Sequence, residues 1–285
     1  MRLLVAGARG LLGAAITREF SRDSEVHAFA GRADLDLTNA AAVRSAVISA
    51  RPDAVINCAA FSGVDAAEER AADALAVNAF GTLALARAAS EAGAALVHYS
   101  TDFVFDGNID RPYTEDDAPG PRSFYGLSKL LGEWFAAEST RAYVLRVESL
   151  FGDPAPEAPP KGSLHTIVAR IMAGEAVPVF VDRTVSPSYT ADIARATRAV
   201  LARNIPTGVY HCVNSGAATW AEVAEEAARI LNRPAVLDPM TLESANLKAP
   251  RPKYCALSNA KLASLGILMP TWQDALARHL AGRQA

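Results

Sequence analysis

The sequence predicts an α/β fold: a doubly wound parallel sheet with a smaller C-terminal lobe. Three observations carry this. Short apolar runs alternate with longer helical patterns through the first half, glycines at 7, 10 and 13 follow the first run directly, and the proline-rich "DPAPEAPPKG" (153–162) ends the alternation. Near-continuous apolar strands are what a sheet covered by helices on both faces requires. Strands alternating with helices run parallel, through right-handed crossovers.

The strands are expected in order at 2–7 ("RLLVAG"), 25–30 ("EVHAFA"), 53–59 ("DAVINCA"), 95–100 ("ALVHYS") and 142–147 ("AYVLRV"). The clearest helical pattern runs from 66 to 93, and "NAAAVRSAVISA" (39–50) is another. Past the proline-rich loop, "VPVFV" (177–181) and "GVYHCV" (208–213) read as strands and "TWAEVAEEAARILN" (219–232) as a helix. The expected division is a dinucleotide-binding unit over 1–150 and a lobe over 151–285 interleaved with the main sheet. A length of 285 residues suits one large unit with such an addition.

Hydrophobic residues make up 51% of the chain, enough for a substantial core, and the net charge of −3 offers no broad positive field for nucleic acid. Cys58, Cys212 and Cys255 are scattered and odd in number, which points to buried thiols in a reducing compartment. No apolar run approaches the ~20 residues of a membrane span, and the N-terminus does not read as a signal peptide. A cytoplasmic protein is therefore expected.

In "GARGLLG", Gly7, Gly10 and Gly13 sit between strand and helix, where a tight turn and free helix-start N–H groups receive a pyrophosphate. Arg9, Leu11 and Leu12 share that turn and are assigned to the cofactor with it. The spacing is G-x-x-G-x-x-G. At the end of the second strand, where an acid would bind the ribose hydroxyls of NAD, the chain reads Gly31-Arg32. Arg9 and Arg32 together favour a 2′-phosphate, hence NADPH, with NADH the alternative; the other reading of both is solvated surface charge. In "LDLTN" (35–39), Asp36 can accept from the adenine amino group while Leu37 packs near the ring. Alternatively Asp36 caps the following helix, a task Thr38 or Asn39 could also perform.

Ser100, Thr101 and Asp102 fall at the carboxyl end of the fourth strand, where an open α/β sheet binds its ligand. Thr101 can donate to a carbonyl or bond its own backbone. In "SFYGLSKLLGE" (123–133), Tyr125 and Lys129 share one helix face. An ammonium near a phenol stabilises the phenolate and is expected to lower its pKa. Thr101, Tyr125 and Lys129 thus form a set suited to protonating a carbonyl as it is reduced.

Those motifs, together with "VINCAAFSGVDAAE", "VNAFGT", "HYSTDFVFDG" and "GVYHC", resemble the extended short-chain dehydrogenase/reductases, whose dinucleotide-binding sheet is of Rossmann type. Within them the chain is most similar to the dTDP-4-dehydrorhamnose reductase group. The resemblance implies that Thr101 bonds the sugar ketone, Tyr125 gives the proton, and Lys129 holds the ribose and tunes Tyr125. It also implies that Cys58, Ala59, Ala60 and Phe61 line the cofactor, with Ser100 beside the nicotinamide. Val64, Asp65 and Asp102 would approach the sugar, and Arg251 the substrate's nucleotide.

The chain also departs from that group. Glu148 and Ser149 stand near the place of a sugar-stacking tryptophan, "PPKGSLHTIV" replaces an Asn-Phe pair, and Pro187-Ser188 replaces Pro-Thr. Acidic residues that bind magnesium at a dimer interface in some members are missing, so no metal is expected. The expected activity is that of an NADPH-dependent reductase of a 4-keto-deoxy sugar nucleotide, with a homodimer left open. The alternatives are a sugar-nucleotide epimerase of the same fold and a non-catalytic NADP-binding regulatory subunit like that of methionine adenosyltransferase. His98 and His211 are expected to be packed in strands, His165 is a lesser substrate candidate, and Trp134 and Phe135 fit a core-facing helix stripe. Trp220 and Trp272 look like packing anchors for the lobe.

Overall fold

In the computed structural model, which describes residues 1–156, 158, 159 and 162–281, Leu3, Leu4 and Val5 have no solvent exposure. Their strand, β1 (Arg2–Ala6), lies inside a sheet covered on both faces. It is followed by α1 (Leu11–Phe20), β2 (Glu25–Phe29), α2 (Ala40–Ala50), β3 (Ala54–Asn57), α3 (Val64–Glu69), α4 (Ala71–Leu75), α5 (Gly81–Glu91), β4 (Ala95–Thr101), α6 (Phe124–Ala136) and β5 (Ala142–Val147). The second half holds β6 (Leu150–Phe151), α7 (Ser163–Ala173), β7 (Ala176–Phe180), β8 (Thr184–Val185), β9 (Ser188–Tyr189), α8 (Thr190–Arg203) and β10 (Gly208–His211). It ends with β11 (Ala218–Thr219), α9 (Trp220–Leu231), β12 (Val236–Met240), α10 (Ala260–Ser264) and α11 (Trp272–Leu280).

Six strands form the main sheet in the order β2-β1-β3-β4-β5-β10, all parallel. The strand order reverses between β1 and β3, and a doubly wound sheet opens its ligand crevice there, beyond the carboxyl ends. β2 and β3 stop at Phe29 and Asn57, short of the expected 30 and 59. The residues after them leave the ladder and line the crevice. One face of the sheet is covered by α1 and α8 through Leu12, Ile16, Phe20, Ile193, Val200 and Leu201. The other is covered by α2 and α5 through Val43, Val47, Leu85 and Ala89.

The strand at 208–213 ends earlier, at His211, and its place is the edge of the main sheet beside β5. With α8 it joins the sheet unit although it comes from the second half. So does α10, whose Leu262 lies in the main-sheet core, while α7, β7, α9 and α11 bury a separate core that includes Ile167, Ile171, Val177, Trp220, Val223 and Trp272. The loop expected at 153–162 carries no helix or strand in its described part, while 157, 160 and 161 lie outside the described residues. No helix among the described residues is long and apolar enough to cross a membrane.

Two sequence expectations are corrected. The helical pattern over 66–93 is interrupted: Arg70 leaves helical geometry (φ −124°, ψ 46°), and residues 76–80 form one π-helical turn. That turn seats Asn78, almost wholly buried, against the chain after β3, a tertiary contact that periodicity does not report. Trp134 is 62% exposed and not in the core. The apolar stripe that buries α6 passes through Gly126, Leu130, Gly132 and Ala136. Phe135 stacks on Phe80 at 5.8 Å, beside that outward face.

Candidate active site

The turn after β1 has no room for side chains. A Cβ on Gly13 would come 2.1 Å from the Gly7 carbonyl oxygen, and one on Gly7 (φ +80°) would come 2.7 Å from the Ala59 backbone nitrogen. Gly10 is the N-cap of α1, and no side chain caps that helix. The uncapped helix start therefore faces a crevice of about 810 Å³ with the positive end of its dipole. Gly7, Gly10, Leu11, Leu12, Cys58, Ala59, Ala60 and Phe61 line this crevice. Arg32, Asp36, Leu37, Tyr125 and Lys129 line it too, so the two ends of the sequence-predicted site share one cavity. Gly13 lies beneath the turn as a packing residue, and Arg9 lines an adjoining smaller recess.

At the ribose end, the Arg9 guanidinium lies 3.8 Å from where a Cβ on Gly31 would stand. Arg32 donates to Asp36 at 2.9 Å, so the two guanidiniums converge at the end of β2. Asp36 is partly committed already, because its carboxylate also accepts from the Thr38 amide at 3.0 Å and hydroxyl at 2.7 Å. Thr38, with help from Arg32, holds that carboxyl below the usual range. The helix cap is Asn39, whose side chain accepts from the Ala42 amide at 3.0 Å. The glycine cradle, the uncapped helix start and two guanidiniums suit a phosphorylated dinucleotide.

The loop after β3 is held by a residue that the sequence reading left without a role. Asn78 accepts from the Phe61 amide at 2.8 Å and donates to the Phe61 carbonyl at 3.1 Å and to Ser128 at 2.9 Å. One amide side chain thereby ties the crevice wall to α6. The "VNAFGT" motif contains it, but only the π-turn explains why an asparagine is needed there.

Ser123 caps α6 by accepting from the Gly126 amide at 3.1 Å, and one face of the helix then presents Tyr125, Lys129 and Glu133. The Lys129 ammonium, 3% exposed, donates to the Tyr99 carbonyl at 2.6 Å. Burial lowers its pKa to about 8, against the pull of Glu133. Tyr125 packs edge-on to Phe103 with ring centroids 5.5 Å apart. Burial, and next the negative charge of Asp102, push its pKa up to about 12, while a hydrogen bond with Thr101 opposes them. The expected lowering of Tyr125 by Lys129 is thus corrected. Desolvation raises the phenol's pKa, and no lowering by Lys129 accompanies it.

Thr101 and Asp102 lie at the end of β4 and are 5% and 3% exposed. The Thr101 hydroxyl donates to Asp102 Oδ1 at 2.8 Å and accepts from the Phe103 amide at 3.3 Å. Ser100, expected beside the nicotinamide, is not among the residues that line the crevice. It donates to Glu133, which is also paired with Arg146 at 2.7 Å, and so serves the helix-to-sheet joint. Asp65 and Arg251, both assigned to substrate, are brought together: Arg251 donates to Asp65 at 2.9 Å, and the Ala249 amide donates to the same carboxylate at 2.9 Å. Val64 opens α3 beside them. Arg251 and Arg183 both lie over the Phe103 ring, at 5.6 Å and 5.3 Å. His98 and His211 are fully buried, and burial lowers the pKa of both, that of His211 to about 3. His165 is half-buried on α7.

Comparison with known proteins gives a consistent result. The sequence profile described as "RmlD substrate binding domain" matches residues 1–284. The chain is 39% identical over 284 residues to a dTDP-4-dehydrorhamnose reductase of Streptomyces griseus, covering 96% of this chain and 91% of that protein. Among solved structures, a dTDP-4-dehydrorhamnose reductase ortholog from Clostridium acetobutylicum aligns over 100% of both chains with TM-score 0.92 and 33% identity. The dTDP-4-dehydrorhamnose reductase of Bacillus anthracis, solved in complex with NADP, aligns over 99% of both with TM-score 0.92 and 31% identity.

Proposed function

Since the chain belongs to the RmlD substrate binding domain family, we propose that it is an NADPH-dependent reductase of a 4-keto-deoxy sugar nucleotide such as dTDP-4-dehydrorhamnose. The observation that carries this reading is Tyr125 and Lys129 together in the wall of the crevice that the glycine turn opens. The backbone of Gly7, Gly10, Leu11 and Leu12 holds the pyrophosphate, and Arg9 and Arg32 hold the 2′-phosphate. Bound NADPH supplies hydride to the ketone carbon. Tyr125 gives its phenolic proton to the ketone oxygen as negative charge develops there. Thr101, at the end of β4, polarises the same oxygen. Lys129 binds the nicotinamide ribose, and its charge favours the phenolate left behind. In this reading Arg251, which donates to Asp65 at 2.9 Å, meets the substrate's nucleotide portion.

The test is NADPH oxidation by the purified protein with a panel of 4-keto-6-deoxy sugar nucleotides. Turnover is expected with at least one thymidine diphosphate sugar. Tyr125→Phe is expected to retain NADPH binding and lose about 10²–10⁴-fold in kcat. Protein that binds NADPH yet oxidises it with none of these ketones would overturn the assignment in favour of a non-catalytic role.

A further inference from the structure

Behind Thr101 lies a buried charge cluster that the mechanism above does not use. Asp102 follows β4 and Glu148 follows β5, two neighbouring strands, so their carboxylates leave the sheet side by side. Both are almost fully buried. One oxygen of each is already committed: Asp102 Oδ1 accepts from Thr101 at 2.8 Å, and Glu148 Oε2 accepts from the Ser186 amide at 2.7 Å. The other two, Asp102 Oδ2 and Glu148 Oε1, are buried without a hydrogen-bond partner. One carboxyl oxygen of each acid and Cys255 Sγ lie within 4.8 Å of one another.

The positive charge in this cluster is Arg183, 3.6 Å from Asp102 Oδ2. The other titratable groups facing it are Tyr125 from α6, with Cys255 and Tyr254 from the segment before α10. Two ionised acids would leave the cluster with one uncompensated negative charge in a dry site. Close like charges away from water are relieved when the pair keeps a proton.

That proton matters because a threonine hydroxyl has a single hydrogen. Against an ionised Asp102, the hydrogen is held by the carboxylate. If Asp102 carries the proton on Oδ1, the bond reverses, and the freed Thr101 hydrogen can serve another acceptor. We infer that the Asp102–Glu148 pair retains one proton, held on Asp102 Oδ1 because Arg183 faces Oδ2, and that this proton sets Thr101 as a donor toward the reacting ketone oxygen. Asp102 then donates to Thr101 and Thr101 donates to substrate; no bond other than hydrogen bonds changes, and no proton leaves the pair. Glu148 is a positioning residue acting through Asp102. The second half of this inference rests on the reductase reading; the retained proton does not.

The first test uses the protein alone. Infrared spectra of the wild type at neutral pH are expected to show the carbonyl stretch of a protonated buried carboxyl. That band should fade as pH rises through the raised pKa of the pair and be missing from Glu148→Gln. Its absence from wild type overturns the inference without bearing on turnover.

The second test is kinetic. Glu148→Gln leaves Asp102 as a lone carboxylate beside Arg183. It should lower kcat at neutral pH by on the order of 10²-fold, the loss of one transition-state donor, with the Kd for NADPH unchanged. Adding Asp102→Asn restores a group that donates to Thr101, so the double variant should turn over several-fold faster than Glu148→Gln. A double variant as slow or slower, as additive structural damage would give, sinks the positioning role. A wild type inactive on every ketone overturns the reductase reading and, with it, only this kinetic half.

Discussion

Lys129 is a cation held where cations are expensive. It is 3% exposed, bonded to one carbonyl, and its pKa is lowered to about 8. A lowered lysine makes folding release a proton between about 8 and the unfolded value of 10.5, so its cost is greatest below pH 8 and fades as pH rises toward 10.5. Lys129→Met is therefore expected to raise stability at pH 7 by on the order of 1–3 kcal/mol while weakening NADPH binding. Denaturant titrations at pH 7 and pH 10 check it, because the gain should shrink at the higher pH. The functional logic runs the other way from the stability: the ammonium pays its desolvation cost in order to meet an anionic neighbour. Tyr125, Lys129, Gly7 and Gly10 could be picked out in the sequence by their spacing together with the motifs around them, and they line one crevice. The contacts of Asn78, Glu133 and Ser100 could not be picked out, because each acts on a partner 13 to 50 residues away in the chain.

At the scale of elements, α6 is positioned by what surrounds it rather than by helix propensity. Gly126 and Gly132 let it approach the chain closely, since a Cβ at either would come 2.3 Å from the Phe103 carbonyl oxygen or 2.4 Å from that of Asn78. Its opposite anchor is Glu133, which takes a two-pronged contact from Arg146 on β5 at 2.9 Å and 2.7 Å and a bond from Ser100 on β4. With both side chains 4% exposed, Glu133→Ala leaves a buried guanidinium without its acid. A loss of about 3–5 kcal/mol is expected by chemical denaturation, with a larger effect than removal of any surface pair. Strand positions were readable because apolar runs of that length bury on both faces. The break at Arg70 and the π-turn at 76–80 were not readable, since a helical pattern looks the same whether or not one turn is widened to seat Asn78.

For the whole molecule, the boundary near residue 150 is a boundary of composition more than of folding. Ile193, Val200, Leu201, Ile205 and Tyr210 belong to the same core as Leu3 and Val5, so residues 1–150 alone lack one covering helix and an edge strand. That fragment is expected not to melt as a cooperative unit, whereas the full chain should; circular dichroism melts of the two decide it. The alternation of strands and helices, and the turn to a second layout after the prolines, could be read from the sequence. An interleaving of the second half with the main sheet was expected, but that β10 is the strand that returns could not be read, because an edge strand and a lobe strand carry the same apolar signature.

The place of β10 has a consequence for synthesis. β5 ends at Val147 and its parallel partner begins at Gly208. At roughly 5–20 residues per second on the ribosome, the nascent sheet waits several seconds with the backbone of β5 unpaired along one side. During that interval the chain offers a strand edge to any neighbour, and each protein made passes through a brief period in which its fate depends on what it meets.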